Sequence, residues 1–352
     1  MDIVATAYDH VVGVDTHART HTYTVLQSAT GAVIDTASFP TSAAGNRRAL
    51  AWIRRRCTGT VLAAVEGTSS YGSSIVAAFD SEGITVTEVR PPSRSSRAYS
   101  GKSDAIDAEA AARGVLGRRT SHLIKPRTAG DRTALRVLLA SRSLMDHQRT
   151  ADRNALTALL RAVDLGIDAR KPLTAGQLKE MAAWRMRQTS GNPADLATTT
   201  ARAEARRLAI SVLDRSRQLE DNNELLRRYS DDIASGLQDI CGIGPVTAAI
   251  IICAYSHHGR IRSEAAFAAL GGVAPQPASS GNTSRHRLNR SGDRQLNRAF
   301  DVIARTRMSF DPETRAYVER SLAKGKTKRE VRRSLKRYVC RSVFRQLQTI
   351  MA

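Results

Sequence analysis

The stretch HVVGVDTH (residues 10–17), with THTYTVLQ (20–27) and AVIDTASF (32–39) after it, decides the fold of the first third of the chain. The first segment is apolar up to Asp15. The second alternates polar and apolar side chains, the period of a half-buried strand, and the turn residues Thr30 and Gly31 separate it from the third. Three short strands are therefore predicted over 10–39. Working outward, residues 43–56 read as a helix and VLAAVE (61–66) as a buried strand. The region near 72–81 reads as a helix and ITVTEV (84–89) as a strand. After the polar loop PPSRSSRAYSGKS (91–103), an Ala-rich helix is predicted from about 104 to 117.

The order βββαβαβα predicts a mixed sheet flanked by helices, an α/β domain of the ribonuclease-H-like kind. The remainder reads as α. Residues 127–165 form one predicted helix with two apolar stretches, the first built on Leu135, Leu138, Leu139 and Met145, the second on Leu156, Leu159, Leu160 and Val163. At ~1.5 Å per residue it would span roughly 60 Å. Residues 201–228 form a second amphipathic helix, with Leu208, Val212, Leu219 and Leu226 near heptad spacing. These two helices and the Gly/Pro-containing insert at 166–200 predict a helical hairpin. It is either a coiled-coil arm for dimerisation or for spanning nucleic acid, or an ordinary helical subdomain. Residues 235–352 begin with short helices, pass through a polar loop (276–292) and end in helices rich in Arg and Lys. The expected division is thus 1–120, 121–234 and 235–352.

The 352 residues are 41% hydrophobic, a globular composition with room for two or three domains. Lys and Arg number 54 against 33 Asp and Glu, a formal charge of +21. Basic side chains displace the counterions condensed on phosphate, so a polyanionic partner is expected, nucleic acid first. The charge is uneven: residues 1–110 carry −1, 111–280 carry +9 and 281–352 carry +13. A near-neutral domain beside basic ones suits a carboxylate site that gathers a cation while its neighbour holds the polymer. Cys57, Cys241, Cys253 and Cys340 form no CxxC pair, which argues against a zinc site or a disulfide framework. No stretch reaches ~20 apolar residues and the first residues lack a basic leader, so a cytoplasmic protein without a membrane partner is expected.

Four carboxylates stand out by placement. Asp15 closes the first apolar strand and Glu66 closes VLAAVE. Asp104 and Asp107, at i and i+3, project from one face of a helix. Strand ends that converge on one sheet edge, with a helix presenting its acids there, bind divalent metal through hard oxygens. Two such metals serve phosphodiester cleavage by activating one oxygen and stabilising the other. Each acid also has a local reading: Asp15 and Glu66 as turn acids, Asp104 as a helix cap, Asp107 as a first-turn acid favoured by the helix dipole. The joint pattern favours the metal site.

Two segments of the last unit carry further chemistry. ICGIGPVTAA (240–249) resembles a helix-hairpin-helix turn, in which Gly242 and Gly244 let the backbone approach a phosphate ahead of a helix N-terminus. A plain tight turn between core helices fits it equally. Farther on, Ser280-Gly281 follows Pro275 and Pro277, and Arg285, His286, Arg287 and Arg290 come close behind. Arg294 and Arg298 then lie on the helix that begins near Asp293. A serine nucleophile needs access, an adaptable neighbour and positive charge around the attacked phosphate, and this loop offers all three. The alternative is a solvated Ser/Gly loop whose arginines only hold DNA, and the loop by itself favours that alternative. No Ser-His-Asp triad can be read from the spacing, although His286 is a local candidate for carrying a proton. Arg332, Arg333, Arg337 and Arg341 fall on a basic helical stretch suited to backbone phosphates.

At these residues the chain resembles a transposase family, the insertion-sequence family numbered one hundred and ten, which includes the Piv-type DNA invertases. The motifs are GVDTH (13–17), VEGTSSYG (65–72) and KSDAIDAEAAAR (102–113), then CGIGPVTAAII (241–251), FAALGGVAPQPASSG (267–281) and RSGDRQLNRAF (290–300). They occur in the family's order and spacing across nearly the whole chain, except the 166–200 insert. The resemblance implies a RuvC-like DEDD domain, a coiled-coil connector and a C-terminal transposase domain. It gives the metal role, for Mg²⁺ or Mn²⁺, to Asp15, Glu66, Asp104 and Asp107, and the nucleophile role to Ser280. It further implies a bacterial, nucleoid-associated recombinase that works as a tetramer, a dimer of dimers. Its guide would be a structured bridge RNA that pairs with target and donor DNA. In place of the Lys that many relatives carry just after the first motif, this chain has Ala18-Arg19, and Ser279 adjoins Ser280. Two other readings are weighed against this one: a metal-dependent nuclease of the Holliday-junction resolvase kind that uses water, and a nucleic-acid-binding protein without activity. The acids favour an enzyme, because in the neutral domain they are of no use for holding phosphate.

Overall fold

The computed structural model describes residues 2–68, 70–90, 103–127, 130–185, 193–278, 286, 287, 289 and 291–352. The chain divides into two compact units, residues 1–129 with 259–262, and residues 130–258 with 263–352.

In the first unit a single turn of helix, α1 (Val4–Ala7), precedes β1 (His10–Thr16), β2 (Thr20–Gln27) and β3 (Val33–Pro40). Then follow α2 (Ala43–Arg54), β4 (Val61–Glu66), α3 (Ser73–Ser81), β5 (Thr85–Val89) and α4 (Asp104–Leu116). The sheet order is β3-β2-β1-β4-β5; β1 and β3 run antiparallel to β2, while β1, β4 and β5 are mutually parallel. The expected mixed sheet is present. Its two faces follow from the period of two along a strand. Val12, Val14, Ala63 and Val65 pack on one side with Leu50, Ile53 and Phe79 of α2 and α3. Val11, Leu62 and Ala64 pack on the other with Ala111, Ala112 and Val115 of α4.

Gly13 sets the distance of α4 from the sheet. A Cβ there would lie 1.9 Å from the Ala108 carbonyl oxygen and 2.8 Å from the Ala112 nitrogen, both backbone atoms of α4. Only hydrogen at this position lets the Ala-rich helix lie so close.

The alternation in THTYTVLQ is one of polarity and not of burial, because residues 21–26 are all buried. Gly13 pairs with Thr24 and Asp15 with Thr22, so the threonines share the α4 side of the sheet. Their hydroxyls are satisfied across the ladder, Thr22 Oγ1 to Ser38 Oγ at 2.8 Å and Thr24 Oγ1 to Thr36 Oγ1 at 3.0 Å. Paired hydroxyls are tolerated in the interior. Polarity alternates along β2, but burial does not.

The second unit is helical. α5 (Asp131–Ala162), α6 (Ala175–Ala182) and α7 (Pro193–Ile233) come first. After a turn of 3-10 helix (Leu237–Asp239) come α8 (Pro245–Tyr255), α9 (Glu264–Leu270), the two-residue strands β6 (Gln276–Pro277) and β7 (His286–Arg287), then α10 (Arg294–Phe310), α11 (Pro312–Ala323) and α12 (Lys328–Ile350). α5 and α7 pair antiparallel: Ser211 Oγ donates to Asp152, the Arg142 guanidinium donates to the Leu219 carbonyl and Asn222 Nδ2 donates to the Leu138 carbonyl. The hairpin is thus present, with different ends from those expected. α5 has 32 residues, about 48 Å at ~1.5 Å each, because it begins after Gly130 at φ +72° and ends where Val163 turns extended. α7 starts inside the expected insert, at Pro193, since a proline in the first helical position gives up only an N–H that has no helical partner. The insert also contains α6, whose Thr174–Gln177 capping box fixes its start. Leu178 and Met181 of α6 close a cluster with Leu156 and Leu160 of α5 and Leu208 and Val212 of α7. At the other end of the chain Tyr255, Phe267, Phe300 and Phe344 meet in edge-on and tilted ring contacts of 5.7–6.2 Å.

Candidate active site

The parallel pairing of β1 with β4 runs in register to Val14–Val65, so Asp15 and Glu66 are the next residues on adjacent strands. Each lies two residues beyond a side chain on the α4 face, Gly13 and Ala64, and shares that face. Thr16 Oγ1 donates to the Glu66 carbonyl at 2.9 Å and stitches the two strand ends together.

α4 brings the other two acids to this edge. Its N-cap is Ser103, whose Oγ accepts from the Ile106 N–H at 3.3 Å. The local reading of Asp104 as the cap is therefore wrong, and its carboxylate is available elsewhere. Asp104 Oδ2 lies 3.8 Å from His17 Nδ1, which lies 3.5 Å from Asp15 Oδ2. One ligand atom from each of Asp15, His17 and Asp104 falls within a 4.8 Å set, the spacing of groups that share an ion. Asp15 is buried, while His17 and Asp104 face solvent. Two carboxylates suit Mg²⁺ or Mn²⁺, and the imidazole could hold the same ion or carry a proton. Glu66 and Asp107 stand outside that set of three, half-buried and buried respectively on the same face of the sheet.

His17 was not among the expected ligands. The signal was present, because His17 follows Asp15 by two residues and so keeps its parity at the strand end.

A second charged group lies behind the loop that follows Glu66. Thr68 Oγ1 donates to Glu88 Oε2 at 3.1 Å, and the Arg260 and Arg127 guanidiniums approach the same carboxylate at 3.4 and 3.6 Å. Arg260 is nearly fully buried. Burial first, then neighbouring Arg127, lowers its pKa against the opposing pull of Glu88.

Of the residues expected at nucleic acid, Ser280, Arg285 and Arg290 lie outside the described residues. Gly242 sits at φ +87°, and a Cβ on it would meet the Ile303 backbone of α10 at 3.0 Å, so its glycine character has a packing cause. Among the described residues nothing lies within 4 Å of a Cβ built on Gly244. Both line a cleft of about 480 Å³ at the start of α8. Arg294 and Arg298 are exposed one turn apart on α10. Arg332 approaches Asp301 at 3.5 Å. Arg287, Arg333 and Arg337 line one pocket of about 620 Å³.

Comparison with known proteins gives two family matches. Residues 12–164 match a transposase model for the DEDD type of IS110 elements. Residues 234–319 match the model described as Transposase IS116/IS110/IS902 family. The chain is also 35% identical over 120 residues to the insertion element IS110 uncharacterized 43.6 kDa protein of Streptomyces coelicolor. That alignment covers 33% of this chain and 29% of the relative.

Proposed function

Because the chain belongs to the IS110 family of transposases, we propose that it is a recombinase that cuts DNA and rejoins the strands through a covalent serine link. The observation that carries this is the convergence of Asp15, His17 and Asp104 at one edge of the mixed sheet. Asp15, Asp104, Glu66 and Asp107 would hold Mg²⁺ or Mn²⁺, which when bound neutralises charge that builds on the scissile phosphate.

The remaining work falls to side chains. Ser280 Oγ forms the new bond to phosphorus, the bond to the 3′ oxygen breaks, and the serine proton ends on that oxygen. The 5′ side stays on the serine as a phosphodiester. A 3′-hydroxyl from the partner duplex then attacks this link, and the serine recovers its proton. Bond energy is conserved in the link, so no ATP is consumed. Arginines flanking the serine stabilise the charged phosphorane. A bridge RNA that pairs with target and donor DNA, and a tetramer in which one subunit's acids serve another's serine, complete the proposal. The division into a catalytic domain, a helical connector and a serine domain belongs to it as well.

The test uses a nicked suicide substrate. The wild-type chain should give a denaturation-resistant protein–DNA adduct that maps by peptide mass to 278–285. EDTA and Asp15→Ala should both abolish it. Cleavage by Ser280→Ala at the wild-type rate would replace the serine route with a nuclease that uses water. Strand exchange in EDTA would remove the metal from the scheme.

A further inference from the structure

The second unit contains a concave basic pocket of about 620 Å³. One wall is the outer face of α12, where Arg333, Arg337 and Arg341 recur every fourth residue and Tyr338 lies beside them. The other wall is Gly272–Pro275 together with Arg287 of β7. The floor is fixed by one side chain. Asn297 Nδ2 donates to the Gly271 carbonyl at 2.7 Å, and its Oδ1 accepts from Lys336 Nζ at 2.7 Å. Gly272, at φ +64°, lets the turn close on Asn297, since a Cβ there would lie 3.1 Å from Nδ2 and 2.9 Å from the Ser291 carbonyl.

The cations here are not equivalent. Glu264 takes two of them, Arg337 at 2.5 Å and Arg341 at 3.1 Å. Asp301 faces Lys336 at 3.7 Å and also serves Arg305 and Arg332. Arg287 and Arg333 have no carboxylate within ion-pair distance among the described residues. Glu330 feels the charge of Arg333 without closing an ion pair with it, so two guanidiniums from different elements line one pocket with their forks open to an anion, and guanidinium forks match phosphate oxygens. The pocket also offers an aromatic face. Tyr338 is 53% exposed, an unusual position for a large ring, and Tyr317 holds it edge-on at 5.8 Å. The volume falls in the range of pockets that enclose a small molecule. A duplex backbone lies on open surface and has no base face to offer a ring, whereas an unpaired nucleotide presents both a phosphate and a stacking face.

We propose that this pocket takes one unpaired nucleotide of a nucleic-acid strand, with its phosphate between Arg287 and Arg333 and its base against Tyr338. The inference rests on the reading of the chain as acting on nucleic acid, and it adds a preference for single strand at a named place.

The experiment uses the full chain freed of nucleic acid by high salt, in EDTA so that the acidic edge takes no part. Fluorescent single strands of about six nucleotides, in deoxyribo and ribo forms, are titrated beside a blunt duplex of DNA. The two sugar forms tell whether a DNA or an RNA strand is the occupant. Arg333→Ala and Tyr338→Leu should each weaken single-strand binding about tenfold and duplex binding less than about threefold. Arg287→Ala, on the opposite wall, should do the same, and Tyr338→Phe should bind as wild type. Equal losses on both substrates would overturn the pocket in favour of a general phosphate-binding face, and so would unchanged single-strand binding in all three variants. A wild-type chain that binds duplex but not single strand sinks the pocket alone. One that binds neither sinks the nucleic-acid reading with it.

Discussion

Gly13→Ala tests how α4 reaches the sheet. The added Cβ would stand 1.9 Å from the Ala108 carbonyl oxygen, whereas ordinary contact begins at 3.4 Å, so about 1.5 Å of separation must open. The obstacle is helical backbone, which has no rotamer to yield, and α4 must move as a body. Asp104 and Asp107 ride on its first turn. Overpacking of this kind costs about 1–3 kcal/mol. A site holds its geometry to within ~0.5 Å, and a displacement of ~1 Å costs on the order of 10²-fold. Gly13→Ala should therefore melt several degrees below wild type, as seen by circular dichroism, and bind Mn²⁺ at least about tenfold more weakly at a temperature where both are folded. Gly114→Ala, on the same helix, is the control. Among the described residues nothing lies within 4 Å of its added Cβ, and it should be neutral or stabilise by up to about 1 kcal/mol. A Gly13→Ala chain with wild-type melting and wild-type Mn²⁺ affinity would refute the close approach.

Other outcomes can be checked alongside. His17→Ala should keep its fold and lose Mn²⁺ affinity by on the order of tenfold; full retention removes His17 from the ligand set. Burial pushes the Glu264 carboxyl up, but Arg341 and Arg337 outweigh it and hold it below 4.5. Its folded pKa is depressed, so its stabilisation is complete above the unfolded value and is lost as pH falls through the folded one. Glu264→Gln should therefore melt below wild type near neutrality, with the gap closing under about pH 4; a gap independent of pH counts against the ion pair. Duplex affinity should fall with salt at a slope of about −0.9 per phosphate contacted, and replacing Arg294 and Arg298 together by Ala should flatten it by about two contacts.

The parts of this molecule that were legible in sequence are those set by local signals. Asp15 and Glu66 each end an apolar run, and the chain reverses or bends right after them, so strand ends and acids announce themselves together. Asp104 and Asp107 are a helix-face pair at any distance from the sheet. Burial of Thr22 and Thr24 was not legible, because it depends on α4, some eighty residues away, lying over them. His17 carried only the parity it shares with Asp15, a weak signal past the last apolar residue, where a polar side chain is ordinary. The start of α7 was masked by glycine and proline, which mark a loop in one setting and a helix start in another. The arginines of the basic pocket were legible as phosphate-binding residues, but their meeting in one pocket was not, since Gly272, Arg287 and Arg333 come together only through the packing of α9, α10 and α12.

The antiparallel pairing of α5 with α7 has an architectural consequence. Residues 130 and 233 lie at one end of the hairpin, and α6 lies at the other. Seven residues added to each arm would restore every side chain to its facing partner, because the seam repeats with that period. The arms would lengthen by about 10 Å, while the rooted end kept its register. The hairpin is in this sense a telescoping ruler: its reach can be reset in whole steps by insertion or deletion, without redesign of what is built at its base. The cluster closed by Leu178 and Met181 travels with the far end as a detachable cap, so natural variation in length has a place to accumulate that leaves the chemistry of the chain untouched.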